Sequence, residues 1–128
     1  MTKPIQGFFP PYLNMSASEI RLHNINQWTE KQFQDNVIDL AKQLGYDLIY
    51  HTHDSRRSQP GFPDLVLINS RTGRTLWREL KSAKGRIRKE QQMWIDGLKA
   101  AGHDAEVWRP EDWFSERIRN ELLGKVVA

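Results

Sequence analysis

Gly61-Phe62-Pro63-Asp64-Leu65-Val66-Leu67-Ile68 and, after a polar turn, Thr75-Leu76-Trp77-Arg78-Glu79-Leu80-Lys81 decide how this chain folds. Leu65 to Ile68 read as a buried strand, and Thr75 to Lys81 as the strand that returns beside it. The hairpin turn lies around Gly73, within Asn69 to Arg74. Residues two apart on a strand point to the same side. Glu79 and Lys81 therefore share a face, on which Asp64, at the start of the neighbouring strand, can meet them. Two carboxylates and one ammonium suit metal-dependent hydrolysis of a phosphodiester. The carboxylates hold a hard cation through oxygen, and the lysine orients or deprotonates an attacking water.

Each of the three has a plainer reading when taken singly. Asp64 would be a turn aspartate bonded to its own loop, and Lys81 a strand-end lysine reaching water. Glu79 is harder to set aside, because it interrupts Leu76, Trp77 and Leu80 in an otherwise apolar strand, where a bare charge is costly. A salt bridge to Lys81 would satisfy it; Arg78 points to the opposite face.

The flanking segments build a layered domain around this hairpin. Thr29-Glu30-Lys31-Gln32 has the form of a capping box. Phe33, Val37, Leu40, Ala41 and Leu44 then give one helix an apolar stripe, and Gly45 stops it. Tyr46 to Thr52 reads as the first strand, and His53 to Pro60 as a polar loop. After Gly85 a helix from about Arg88 to Ala101 carries Gln91, Trp94, Ile95 and Leu98, with Gly102 behind it. Ala105 to Trp108 reads as a fourth strand. Pro110 opens a last amphipathic helix with Trp113, Phe114, Ile118 and Leu122. The order α-β-β-β-α-β-α places the chain in the α/β (α+β) class, and a hairpin followed by a helical crossover predicts a mixed sheet flanked by helices.

The first 28 residues read differently. Phe8-Phe9-Pro10-Pro11-Tyr12-Leu13 is a proline-stiffened aromatic arm that forms neither regular helix nor central strand. It is expected to pack on the domain or on a partner subunit, with a short helix over Ser16 to Leu22. The expected division is an arm over 1–28 and one domain over 29–128. Phe8, Phe9, Tyr12, Trp113 and Phe114 are the aromatic residues that a subunit interface would use, although Trp113 reads more readily as packed on its own sheet.

Composition narrows the function. The chain has 128 residues, no cysteine and a formal charge of +3, so it has neither disulfides nor a thiolate metal site. No apolar run reaches membrane-spanning length and the start leads into no signal-peptide core. The expected location is the cytoplasm of a bacterium or a phage-infected host, with no membrane partner. The charge is unevenly spread. Between Arg71 and Lys89, eight basic residues face Glu79 alone; from Glu90 onward, eight acids outnumber five bases. Positive charge thus surrounds Asp64, Glu79 and Lys81, where it would draw a polyanion such as DNA. Arg56 and Arg57, just before the Gly-Phe-Pro-Asp turn, are candidate phosphate contacts, as are Lys84, Arg86, Arg88 and Lys89. Part of that set does no more than solvate the surface. His51 and His53 alternate as strand neighbours, but without a third ligand at suitable spacing they read as structural or site-edge residues.

Gly61 to Leu65, Glu79 to Lys81, Gly85 to Ile87, and Gln91 to Trp94 ahead of Gly102 together resemble a VRR-type nuclease of the PD-(D/E)xK superfamily. The likeness covers roughly Glu30 to Arg109. It implies a restriction-endonuclease-like fold and Mg²⁺, with Mn²⁺ as substitute. It also implies that Asp64, Glu79 and the Leu80 backbone carbonyl bind the metal, that Lys81 places the water and that Gln91 supports the site from its helix. Glu30 matches an early acidic residue of that family; from the residue alone it is equally a favourable charge in a first helical turn. Small members resemble Holliday-junction resolvases acting as homodimers, so the expected activity is structure-specific cleavage of branched DNA. A flap, nick or general duplex nuclease of the same chemistry, and a non-catalytic DNA-binding module, remain the alternatives. The complete Asp64, Glu79 and Lys81 set argues against the last.

Overall fold

The computed structural model describes residues 14–52 and 57–125. Its elements are α1 (Ala17–Asn26), α2 (Glu30–Gln43), β1 (Leu48–His51), β2 (Leu65–Asn69), β3 (Arg74–Leu80), α3 (Lys89–Ala100), β4 (Asp104–Trp108), α4 (Pro110–Phe114) and α5 (Arg117–Leu123). The sheet runs β1-β2-β3-β4. Its first three strands are antiparallel and β4 lies parallel to β3, as the hairpin and the α3 crossover require. The result is the predicted mixed sheet with helices on its faces, consistent with a restriction-endonuclease-like fold. Phe8, Phe9, Tyr12, His53 and Arg56 lie outside the described residues.

One sheet face carries the core. The α2 stripe buries Phe33, Val37 and Ala41 against Leu65, Leu67, Leu76, Leu80 and Trp108, with Ile118 and Leu122 of α5 beside them. Both N-terminal helices start on a capping box. The Gln32 amide donates to Thr29 Oγ1 at 3.1 Å and the Thr29 amide to Gln32 Oε1 at 3.0 Å, and Ser16 with Glu19 repeats the pattern. Between the two helices Trp28 packs on Phe33 and edge-on against Trp113. Phe114 lies under the Arg21 guanidinium of α1. Both of these C-terminal aromatics are therefore used inside the chain.

Three boundaries differ from the sequence expectation. The first helix, expected over Ser16 to Leu22, runs on to Asn26. Tyr46 precedes β1 instead of beginning it. Its ring is buried in the core and its hydroxyl donates to the Leu122 carbonyl at 2.7 Å. Asp47 accepts from the Ser70 amide and hydroxyl, so both residues serve the turn. The last helix is two helices: Glu116, at φ 67°, stands in the left-handed region and breaks it. The break lets α5 set Ile118 and Leu122 into the core and bring Glu121 over β3.

Glu121 meets a residue whose place the strand alternation gives but whose burial it does not. Arg78 is fully buried, its guanidinium 2.9 Å from both Asp104 and Glu121 and over the Trp108 ring. It also donates to the Asp104 and Trp77 carbonyls. Arg78 is the buried centre of the cluster, whereas Asp104 reaches water and Glu121 keeps its bonds from Arg117 and Trp108. Arg78→Ala empties a buried site and is expected to lower unfolding free energy by about 2 kcal/mol, read as a shifted urea midpoint. A loss under about 0.5 kcal/mol would show that the cluster is idle.

Candidate active site

Glu79 lies on the opposite side of β3 from Arg78, facing α3. Only 2% of it is exposed, and Lys81, two residues on, is 7% exposed. Asp64 stands one residue before β2, where the ladder to β3 has not yet begun. Its carboxylate fills that rung, accepting the Leu80 amide at Oδ2 (2.8 Å). The next amide, Lys81, donates the other way, to the Trp108 carbonyl. The N–H and C=O of one strand residue leave on the same edge, so the Leu80 carbonyl faces the Asp64 side.

Gln91 completes the cluster from α3. Its Nε2 donates to Glu79 Oε1 at 2.9 Å, and its Oε1 accepts the Arg88 amide at 2.9 Å. The side chain that caps the helix therefore also holds the buried carboxylate. The other Glu79 oxygen, Oε2, is buried and receives no N–H or hydroxyl hydrogen bond. Burial, followed by the nearby Asp64 charge and a hydrogen bond shared between the two carboxyl groups, pushes Glu79 up to about 9; Lys81 opposes the shift and Glu30 adds to it. Glu30 is thus within electrostatic reach of the site. Among the described residues, however, no three His, Asp or Glu side chains stand close enough to cage a metal.

The Gly-Phe-Pro-Asp turn is clamped from both sides. The Thr52 amide donates to the Asp64 carbonyl and the Thr52 hydroxyl to that of Pro63. Phe62 meets Trp94 and Trp77 edge to face at 5.2 and 6.2 Å, while Trp94 Nε1 donates to the Pro60 carbonyl. Trp94, expected in the core, is half-buried and ties α3 to this turn. Thr52 and Phe62 were not singled out from sequence, and no spacing marks them. A cleft of about 360 Å³ opens between turn and helix, its polar lining including Ser58, Gln59, Asp64, Arg88, Glu90 and Gln91. Arg57, Lys84, Arg86 and Lys89 are exposed, and Lys84 lines a separate groove.

Asp64, Glu79, Lys81 and Gln91 are therefore brought together. The donor set suits a hard divalent cation: two carboxyl groups face one another closely enough to share a proton, a place that a cation can take. Gln91→Leu would leave Glu79 and the Arg88 amide without their partner. Support of this kind is worth about 10–100-fold, and the variant is expected to lose that much catalytic rate in a cleavage assay. Unchanged cleavage would leave Gln91 a helix cap only.

A buried glutamate paired with a partly exposed aspartate and a lysine, on a hairpin of a mixed sheet flanked by helices, is the arrangement of a PD-(D/E)xK-type nuclease domain. The VRR-NUC domain family model matches residues 16–111, α1 included, and the chain belongs to that family. It carries a nuclease domain of that family. It is 30% identical over 96 residues to Fanconi-associated nuclease 1 of Ailuropoda melanoleuca, a match covering 71% of this chain and 9% of that protein. The chain thus spans about a tenth of the length of that relative. No solved structure matches it. No helix among the described residues is long and apolar enough to cross a membrane.

Proposed function

We propose that the chain is a divalent-metal-dependent endonuclease that hydrolyses phosphodiester bonds in branched DNA, the four-way junction foremost. The observation that carries the metal is the buried Glu79 carboxyl set directly against Asp64, two oxygen donor groups that need a proton or a cation between them. Asp64, Glu79 and the Leu80 carbonyl would hold Mg²⁺, for which Mn²⁺ can substitute. When bound, the cation supplies Lewis-acid polarisation of the scissile phosphate and acidifies water.

The chain's own residues do the rest. Lys81 places the attacking water and offsets the negative charge that builds up on the phosphoryl oxygens. Gln91 keeps the Glu79 carboxylate turned toward Asp64. Glu30, at the start of α2, adds negative field from the far side of the site. Arg88 lines the cleft; with Arg56, Arg57, Lys84, Arg86 and Lys89 it would grip the sugar-phosphate backbone. One chain carries one such set. Cutting both strands of a junction therefore takes two copies, and a homodimer with two-fold symmetry suits paired cuts.

The test is cleavage of an end-labelled four-way junction beside linear duplex, flap and single strand, in Mg²⁺ and in EDTA, with Lys81→Ala as control. Paired cuts confined to the junction, absent in EDTA and in the variant, are expected. Equal cutting of all substrates would discard junction specificity, and undiminished cutting in EDTA would discard the metal.

A further inference from the structure

We propose that the C-terminal end of α1 is one wall of a phosphate-binding groove, and that His23, Asn26 and Gln27 hold the substrate strand on the Lys81 side of the site. This rests on the nuclease reading above. The groove encloses about 580 Å³, and its lining is His23, Asn26, Gln27, Ser82, Ala83 and Lys84. Its walls are the chain neighbours of the site: Ser82 to Lys84 follow Lys81 directly, and Gln27 stands three residues before Glu30.

The lining can take an anion through its side-chain donors and its one cation, which must outweigh the carbonyl end of α1. Five of its six side chains offer N–H or O–H donors, one is a lysine, and none is acidic. The groove along α3 is mostly apolar, with Met93, Trp94, Leu98 and Ala101 in its lining, and the one beside α5 is rimmed by two carboxylates, Asp104 and Glu121. Neither would welcome a phosphodiester.

The walls are built rather than incidental. Arg109 Nη1 donates to the Ser82 carbonyl at 2.9 Å, and the Gly85 amide closes onto the same oxygen. On the other side, Ile25 is buried, the Trp28 amide donates to the Ile25 carbonyl, and Trp28 is wedged between Phe33 and Trp113. Ile25 is the single buried residue of α1. The helix packs on α4 through Ile25, partly buried Ile20 and Leu22 and the Arg21–Phe114 contact, which fixes its amide-rich C-terminal end near the residues that follow Lys81. The cleft at Ser58, Gln59 and Arg88 lies on the Asp64 side and this groove on the Lys81 side. A strand laid across the site would then be gripped on both sides of the scissile phosphate.

The experiment is anisotropy titration of a labelled four-way junction and a linear duplex in EDTA, using the full chain in a Lys81→Ala background. Asn26→Ala/Gln27→Ala and His23→Ala are expected to weaken binding of both DNAs by 5- to 20-fold. The slope of log affinity against log salt should rise when a charge is added: Asn26→Lys is expected to bind tighter, with a slope steeper by about one. Lys42→Ala, an exposed charge at the far end of α2, is expected to change nothing. Circular dichroism confirms that each variant is folded. If the parent binds DNA and the α1 variants bind it equally well, with Asn26→Lys without effect, the groove proposal is wrong. If the parent binds no DNA, the nuclease reading fails first and takes the proposal with it.

Discussion

Glu79→Gln is expected to abolish cleavage while making the metal-free chain more stable at alkaline pH. The substitution keeps an acceptor for Gln91 Nε2, so the contact with α3 survives. What it removes is a charge that burial and Asp64 both disfavour. A metal ligand carries several kcal/mol of transition-state stabilisation, so cleavage should fall roughly 10³-fold or more. Stability moves the other way. With its pKa raised from 4.5 to about 9, Glu79 holds a proton when folded across a range in which the unfolded chain has released it. The parent then loses about 1.4 kcal/mol of stability per pH unit as pH rises through that window. The variant should escape that loss, so its advantage is small at pH 5 and largest near pH 9. Thermal melts of both proteins in EDTA across that range read it directly. Parallel profiles would mean that Glu79 is not held against Asp64 as described.

Gly61→Ala is the second large effect. Gly61 has φ +85°, and a Cβ there would fall on the Glu90 carbonyl and 2.7 Å from the Gln91 amide nitrogen. The obstacle is backbone, which yields only if the start of α3 moves away from the turn. Strain of this kind costs roughly 2 kcal/mol or more. The larger consequence is positional, because Gln91 would draw back from Glu79 and Arg88 from the cleft. Misplacement by about 1 Å costs on the order of 10²-fold in rate. Gly97→Ala, in the same helix, is the contrast. A Cβ there meets nothing within 4 Å, and the change should stabilise by about 0.5–1 kcal/mol. If Gly61→Ala behaved like Gly97→Ala in melts and in cleavage, the close approach would not be real.

These effects divide by how far they could be read from sequence. Asp64, Glu79 and Lys81 were legible because strand alternation is strict and the hairpin turn at Gly73 is short, so two runs of residues set the geometry. The helix starting at Glu30 was equally plain from its capping box and stripe. The Arg78 cluster was not. Alternation sent Arg78 to the face away from Glu79, but nothing local tells that Glu121, 43 residues later, folds back over it. The break at Glu116 was hidden because Trp113, Phe114, Ile118 and Leu122 fit one continuous helical face. Gln91's contact with Glu79 came from family resemblance and not from spacing, since a helix packed across a sheet brings together residues that no periodicity connects. Tyr46 misled for the opposite reason: an aromatic residue before an apolar run has the look of a strand residue, and its hydroxyl found a carbonyl on α5 instead.

Leu80 sits between the two acting side chains and does two jobs through different atoms. Its amide holds Asp64, while its side chain, 2% exposed, belongs to the core on the other face. In a library randomised at this one position, apolar residues of similar volume should all keep the chemistry, since the peptide group is common to them. Polar or small residues should lose activity and foldedness together. Selection for a sound interior and selection for a working catalyst thus fall on the same codon. A lineage drifting at this position would be filtered by both at once, although no atom of the side chain ever meets the substrate.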